Sequence, residues 1–211
     1  SRKRVVVTLG ANRSAIDAVR WLQNTSSGKT GWTIAEHLYR MGHKVTIIAG
    51  DYNHPPSFTF ENVHQEVTPE GMLEALIEVA GQITKQDAWV HCAAVLDYSV
   101  TEAATEKVKS GSEGWTIELS RTSKHLQQLT PLCEGATRIA FKLESGVSDS
   151  ELVDRARALI EQHDLAGVVA NHLEELETEG RRAIWVSSDG TESEISSESS
   201  LAQFIEQAIC G

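Results

Sequence analysis

The sequence predicts an α/β fold: a doubly wound, mostly parallel sheet (Rossmann-like), flanked by helices, with a small C-terminal β-hairpin. Three observations carry this reading. Short apolar, β-branched runs recur along the chain, at Val5-Val6-Val7-Thr8-Leu9, at Lys44 to Ala49 and at Asp87 to Val95, as buried parallel strands require. Helical patterns with start signals separate these runs, so strand and helix alternate with short connections. The length of 211 residues suits one domain able to bury a core, and neither a repeat nor a second domain is visible. Residues 1–211 are therefore taken as a single domain.

In order, a strand over 4–9 closes at Gly10 and leads into a long polar loop. A helix over 31–41 begins at Gly31 and ends at Gly42, before the strand over 44–49. Residues 51–66 read as a polar loop containing Pro55-Pro56. Thr68 as N-cap and Pro69 at the first position open a helix running to about Ile83. After the strand over 87–95, residues 98–114 are rich in Ala, Thr, Ser and Gly and read as a mobile flap. Trp115 to Ser120 alternates as a strand does, and a short helix follows. Arg138 to Leu143 is a further strand, and Ser148-Asp149-Ser150-Glu151 is a capping box for a helix reaching His163. Gly167 to Ala170 is a strand, and Asp189-Gly190 joins Ala183–Ser187 to Glu192–Ser196 as a hairpin. Ser200 and Gln203 form a second capping-box pattern at the start of a C-terminal helix.

The net charge of −11 argues against a nucleic-acid or membrane surface, so any anion site must be built locally. Acidic residues concentrate at Glu174 to Glu179 and Glu192 to Glu198, which read as solvated faces. Cys92, Cys133 and Cys210 are odd in number and unpaired in spacing, which suits a reducing, cytoplasmic setting. Cys92 is expected in a strand core. Eight histidines show no ligand spacing, so a structural metal is not expected. No apolar run reaches the length of a membrane span, and the basic Ser1 to Arg4 is followed at once by a strand rather than by the apolar region of a leader.

Ile16 to Gly31 is the most informative stretch. A buried strand ends, a loop with Arg20, Asn24, Ser26, Ser27 and Lys29 follows, and a helix begins. Unpaired N–H groups at a helix start, glycines that admit close approach and two cations together suit a phosphate. Gly28-Lys29-Thr30 is not a P-loop, because the required earlier glycine is Gln23, and Gly10-Ala11-Asn12-Arg13 is no dinucleotide fingerprint. The second stretch is His91 to Tyr98, at a strand end where open sheets place ligands. Ala93 and Ala94 leave room for a ligand, and Asp97 either caps a turn or binds a polar substrate group or divalent cation. Lys107 and Lys109 are either surface lysines or phosphate clamps on the flap. Phe141 is either core or part of a base site, and Asn171 supplies an amide at another strand end.

Taken in order, these residues resemble phosphopantothenoylcysteine synthetase, the ligase of coenzyme A biosynthesis, in its stand-alone form without a flavin decarboxylase domain in front. The matching residues are Ile16-Asp17, Val19-Arg20, Asn24, Ser26-Ser27-Gly28-Lys29, Gly31, Ala93-Ala94-Val95, Asp97-Tyr98, Lys107, Phe141-Lys142-Leu143-Glu144 and Val169-Ala170-Asn171. The resemblance implies that 4′-phosphopantothenate is activated by CTP or ATP with Mg²⁺ to an acyl-nucleotide, releasing pyrophosphate. Cysteine then displaces the nucleoside monophosphate. It implies nucleotide binding by Gly10, Ser26, Gly28, Gly31 and Lys107, with Phe141 and Asn171 at the base. It implies phosphopantothenate binding by Asn24, Ala93, Ala94 and Asp97, with Asp97 also a candidate for Mg²⁺. Asn24 and Lys107 would be the catalytic groups, and Arg20 would reach the neighbouring site of a homodimer. The chain departs from the usual pattern at Ala11 to Ala15, Leu96, Thr122 to His125 and His172, which leaves CTP against ATP, and the acid and amine themselves, open. Two other classes stand beside it. A non-catalytic nucleotide-binding subunit would bind without turnover, and a Rossmann-type oxidoreductase would need the missing fingerprint.

Overall fold

The computed structural model describes residues 2–82, 87–111, 113–176 and 181–211. In chain order the elements are β1 (Arg4–Leu9), β2 (Arg13–Ala15), β3 (Trp21–Gln23), α1 (Lys29–Arg40), β4 (Lys44–Ala49), β5 (Val63–Gln65) and α2 (Pro69–Ala80). They continue as β6 (Ala88–His91), β7 (Tyr98–Val100), β8 (Leu119–Arg121), α3 (His125–Leu129), β9 (Thr137–Glu144) and α4 (Asp149–His163). The chain closes with β10 (Gly167–His172), β11 (Ala183–Ser187), β12 (Glu192–Ile195) and α5 (Glu198–Cys210).

The central sheet runs β12-β11-β10-β9-β6-β1-β4-β5. Its six parallel strands are wound in both directions from β1, and β11 and β12 continue it antiparallel. Successive side chains of a strand point to opposite faces, and β1 shows the consequence. Val5, Val7 and Leu9 join Trp32, Ile34 and Leu38 of α1 and Leu201 and Ile205 of α5 on one face. Val6 joins Met72 and Leu76 of α2, with Trp89 and Leu129, on the other. Helix α4 covers β9, β10 and β11 through Leu152, Val153 and Ala156 against Ala140, Val168, Ala170, Ile184 and Val186. Helices on both faces explain why the strands are apolar throughout rather than alternating. Among the described residues no helix is long and apolar enough to cross a membrane.

The predicted winding, the Thr68–Pro69 start and the Ser148–Glu151 capping box stand as read. Several boundaries move. Gly28, at φ +77°, is the N-cap of α1, so this helix begins at Lys29 rather than Gly31. The polar loop after β1 contains the hairpin β2–β3, and residues 51–66 contain the edge strand β5. Strand β6 stops at His91, which leaves Cys92 just beyond it and only partly buried against the core. Residues 98–100, read as flap, form β7 and pair with Leu119–Arg121; the strand expected from Trp115 thus starts four residues late. Strand β10 extends past Ala170 to His172. The last capping box uses Ser197 with Ser200 as its reciprocal partner, because Ser200 is already inside the first turn. The C-terminal hairpin is part of the central sheet rather than an appendage. The expected end of α2 at Ile83, Ser112 of the flap and the acidic residues 177–179 lie outside the described residues.

Behind the sheet, Arg138 is buried and donates to the carbonyls of His163, at 2.7 Å, and Leu126, at 3.2 Å. Burial, followed by the nearby Arg138 charge, lowers the His91 pKa to about 3, and burial likewise lowers those of His125 and His163. Between the unfolded value of about 6.5 and these lower values the unfolded chain binds protons that the folded chain does not. Stability is therefore expected to be full above about pH 7 and to fall on acidification already by about pH 5, before carboxylates titrate in the unfolded chain. Urea midpoints across this interval check it, and His91→Leu should flatten the slope.

Candidate active site

The strand order reverses its winding between β1 and β6, where open sheets leave a crevice at the carboxyl ends. Three loops meet there. Ala94 N–H donates to Gly10 O at 2.8 Å, Asn12 N–H to Ala94 O at 3.0 Å, and Ala11 and Asp51 exchange backbone bonds of 2.8 and 2.7 Å. The Thr8 hydroxyl accepts the N–H groups of both Cys92 and Ala93 at 3.1 Å. Gly10 adopts φ +78°, and a Cβ there would lie 2.6 Å from Asp51 O, so only glycine allows the crossing. Gly10, Ala93 and Ala94 are thus brought together as the sequence suggested.

The hairpin β2–β3 rises from this point and returns to Asn24. The Asn24 amide Nδ2 donates to Ala94 O at 3.1 Å, while its backbone N–H reaches Asn12 O at 3.4 Å. This leaves Oδ1 and one N–H of its amide for a ligand. Ser26 and Gly28 follow and lead into α1. Helices α2, α4 and α5 are capped by Thr68, Ser148 and Ser197, and each has an acidic residue in its first turn. Helix α1 has a glycine N-cap and no acidic residue in its first turn; it begins with Lys29, whose backbone N–H donates to Ser27 Oγ at 3.3 Å. The positive end of a helix favours negative charge, and the Glu198 carboxylate, bonded to Thr30, lies beside this one. Gly31 has a packing role: a Cβ would lie 2.3 Å from Leu9 Cβ, so its absence seats α1 against β1.

A polar network that the sequence reading did not anticipate borders the same terminus. Arg182 donates to Asn171 Oδ1 at 2.6 Å, to Thr30 Oγ1 at 3.0 Å and to Glu198 Oε1 at 3.0 Å. Thr30 also donates to Glu198 at 2.9 Å, and Glu198 Oε2 is buried without a hydrogen-bond partner. The one sequence signal for it was the basic pair Arg181-Arg182 in an acidic chain. Asn171 is buried, with Oδ1 taken by Arg182 and Nδ2 donating to Val169 O at 3.3 Å, so its amide is engaged at both ends. Phe141 is half-buried and packs against the main core. Burial, and then the Glu198 charge, push the Cys92 thiol up to about 12, which makes it a protonated spectator rather than a nucleophile.

The remaining candidates lie away from the crevice floor. Asp97 is exposed and ion-paired with Lys124, and its carbonyl accepts Thr122 N–H at 3.0 Å. Arg20 sits at the tip of the β2–β3 hairpin, donating to Val108 O at 2.7 Å within its own chain. Lys107 and Lys109 are exposed on either side of half-buried Val108. Among the described residues one group of ligand-type side chains is close enough to share an ion: His43, Glu206 and Cys210. There His43 Nδ1 accepts the Lys3 amide at 3.2 Å, so the neutral ring turns a protonated Nε2, not a lone pair, toward the other two.

Comparison with known proteins places the chain among related sequences and folds. The chain is 40% identical over 188 residues to the coenzyme A biosynthesis bifunctional protein CoaBC of Thermococcus kodakarensis, covering 89% of this chain and 45% of that protein. It thus spans less than half the length of this curated relative. The DNA/pantothenate metabolism flavoprotein from Streptococcus pneumoniae has the same fold, with a TM-score of 0.88 at 22% identity over 100% of this chain and 99% of the other. A Cab2 mutant solved in complex with phosphopantothenate-cysteine gives a TM-score of 0.79 at 18% identity, covering 99% of this chain and 85% of that one. The family model described as the DNA/pantothenate metabolism flavoprotein C-terminal domain matches residues 1–210, and the chain belongs to that family.

Proposed function

We propose that this chain is a ligase domain, spanning 1–211, that joins 4′-phosphopantothenate to cysteine at the expense of a nucleoside triphosphate, with CTP the expected nucleotide and ATP the alternative. The observation that carries the proposal is the glycine-capped, lysine-bearing N-terminus of α1, with no acidic residue in its first turn, together with an Asn24 amide tied to Ala94 at the switch point. The names of the curated relative and of the Cab2 complex support the same chemistry.

In the proposed reaction the substrate carboxylate attacks the α-phosphorus, and the bond to the bridging oxygen breaks as pyrophosphate leaves. The amine of cysteine then attacks the acyl carbon. The nucleoside monophosphate departs with the bonding electron pair, and the amine proton passes to solvent. Negative charge grows on phosphoryl oxygens in the first step, so N–H groups and lysines aimed at them stabilise its transition state. Gly10, Ser26, Gly28 and Gly31 are assigned to the nucleotide end, Gly10 and Gly31 acting through the close packing of the loops and of α1 that they allow, with Phe141 and Asn171 toward its base. Arg182, through its bond to Asn171, extends that end of the site. Asn24, Ala93, Ala94 and Asp97 hold the acid substrate, and Asn24 orients its acyl group.

The Asp97 carboxylate is committed to Lys124 and belongs to no cluster of ligating side chains among the described residues, which does not fit a resident Mg²⁺ site. Mg²⁺ is instead assigned to the triphosphate, as part of the substrate. Arg20 keeps 41% of its side chain exposed while bound to Asp17 and Val108, and that exposed part is assigned to the neighbouring site of a cytoplasmic homodimer. The test is phosphate analysis with CTP, ATP, GTP and UTP, each with and without phosphopantothenate and cysteine. Pyrophosphate that requires the acid is expected. Orthophosphate would replace acyl-nucleotide with acyl-phosphate chemistry, and nucleotide binding without turnover would make the domain a non-catalytic subunit.

A further inference from the structure

Asp17 lies at the tip of the β2–β3 hairpin, between exposed Ala18 and Val19 and hydrophobic Ile16, yet its own side chain is fully buried. A buried carboxylate needs compensation on both oxygens. Oδ1 accepts the N–H groups of Val19 and Arg20, each at 2.9 Å, which is the ordinary local turn of such a residue. Oδ2 does something the turn does not need. It accepts Val108 N–H at 3.1 Å, from 91 residues away, and lies 3.0 Å from the Arg20 guanidinium. Arg20 donates to Val108 O at 2.7 Å, so both polar groups of residue 108 are held. Burial opposes ionisation of Asp17, but the bonds from Val19, Val108 and Arg20, with the Arg20 charge, outweigh it and hold the carboxyl below its usual range.

Two further ties reach the same tip. Ala104 N–H donates to Ile16 O at 3.0 Å, and the Arg20 guanidinium lies over the Trp115 ring, 4.8 Å from its centre. The described residues of 101–111 contain no helix or strand, so these ties are what shape the segment. Val108 is half-buried at this contact, while Lys107 and Lys109 on either side of it are exposed. The base of the same hairpin carries Asn12 and Asn24 at the switch point.

The geometry points to Asp17 as a positioning residue: through Val108 it clasps the flap to the hairpin and so sets the flanking lysines relative to the nucleotide site. This assignment rests on the proposed ligase reading for its consequence, but the clasp itself does not. Trypsin reads it directly, since cleavage after Lys107 and Lys109 tracks opening of the segment. Asp17→Ala should raise cleavage there roughly tenfold or more, without a comparable rise elsewhere. Val108→Pro removes the donor, along with fixing φ there, and spares the Asp17 turn; cleavage after Lys109 should rise in the same way, which keeps the test open should Asp17→Ala fail to fold. In the pyrophosphate assay at saturating acid, so that any change at Arg20 falls on KM, Asp17→Ala should lower kcat roughly tenfold. On a Lys107→Gln, Lys109→Gln background the same change should cost less than about twofold, because its effect runs through those lysines. Wild-type cleavage rates in both variants would overturn the clasp. A full additional loss on the lysine-free background would overturn the positioning role. A wild-type protein that releases no pyrophosphate would remove the ligase reading while leaving the trypsin result to decide the clasp.

Discussion

Lys107→Gln is expected to lower the rate of pyrophosphate release roughly 10²-fold or more, the range for removing one preorganised electrostatic stabiliser. Lys107 is exposed, and the neighbouring Val108 is tied to the hairpin by both its N–H and its C=O, so the lysine extends from a fixed point. In the proposed reaction its charge would meet phosphoryl oxygens whose negative charge increases in the transition state, so the loss should fall on kcat more than on KM. Lys109 shares the exposed side, and the family resemblance favours Lys107. Steady-state rates of the two single variants check the assignment. Normal turnover in Lys107→Gln with loss in Lys109→Gln exchanges the two roles, and normal turnover in both removes the flap lysines from the chemistry.

Gly10→Ala should destabilise the fold by about 2–4 kcal/mol, combining a left-handed backbone forced on an L side chain with overpacking. The added Cβ would meet Asp51 O at 2.6 Å and the Asp51 and Gly50 carbonyl carbons at 3.2 Å. All three are backbone atoms in a loop already bonded to Ala11, so no side chain can swing aside. The same shift would move Ala94, which is bonded to Gly10 O and carries Asn24, so nucleotide-dependent turnover should fall with stability. Urea unfolding measures the first effect. A midpoint equal to that of the unsubstituted chain would show that the three loops move together without loss.

What the sequence could express, it expressed as local chemistry. Val5 to Leu9 is apolar on both faces because helices cover both, and that alone identifies a buried parallel strand. Thr68-Pro69 and Ser148–Glu151 start helices through bonds made within one turn, so no distant partner is needed to read them. Gly10, Asn24, Gly28 and Ala94 could be singled out because small residues and an amide at strand and helix ends are where ligands bind in such sheets; Gly10, Asn24 and Ala94 are joined at the switch point by the bonds of Ala94, and Gly28 caps α1.

Tertiary structure alone decided the rest, wherever an element is made by its partner. Arg13–Ala15 and Trp21–Gln23 are three residues each with no buried face, so they carry no periodicity; they pair with each other and are held by Val67 O on Arg13 N–H and by Ser14 Oγ on Val100 N–H. Val63–Gln65 is exposed throughout and becomes a strand because β4 offers it a free edge. Ser200 rather than Ser197 looked like the last N-cap, since both have the right neighbours and the hairpin before them sets where the helix starts. Arg182, Glu198 and Thr30 are ordinary surface-type residues in sequence, 168 residues apart at the widest bond, and are joined only when β11 lies beside β10 and α5 beside α1. Asp17 was legible as part of a motif, but its second oxygen is spent on a backbone group 91 residues away. Spacing along the chain carries no information about such a bond, because a carboxylate accepts whichever N–H the folded chain brings to it.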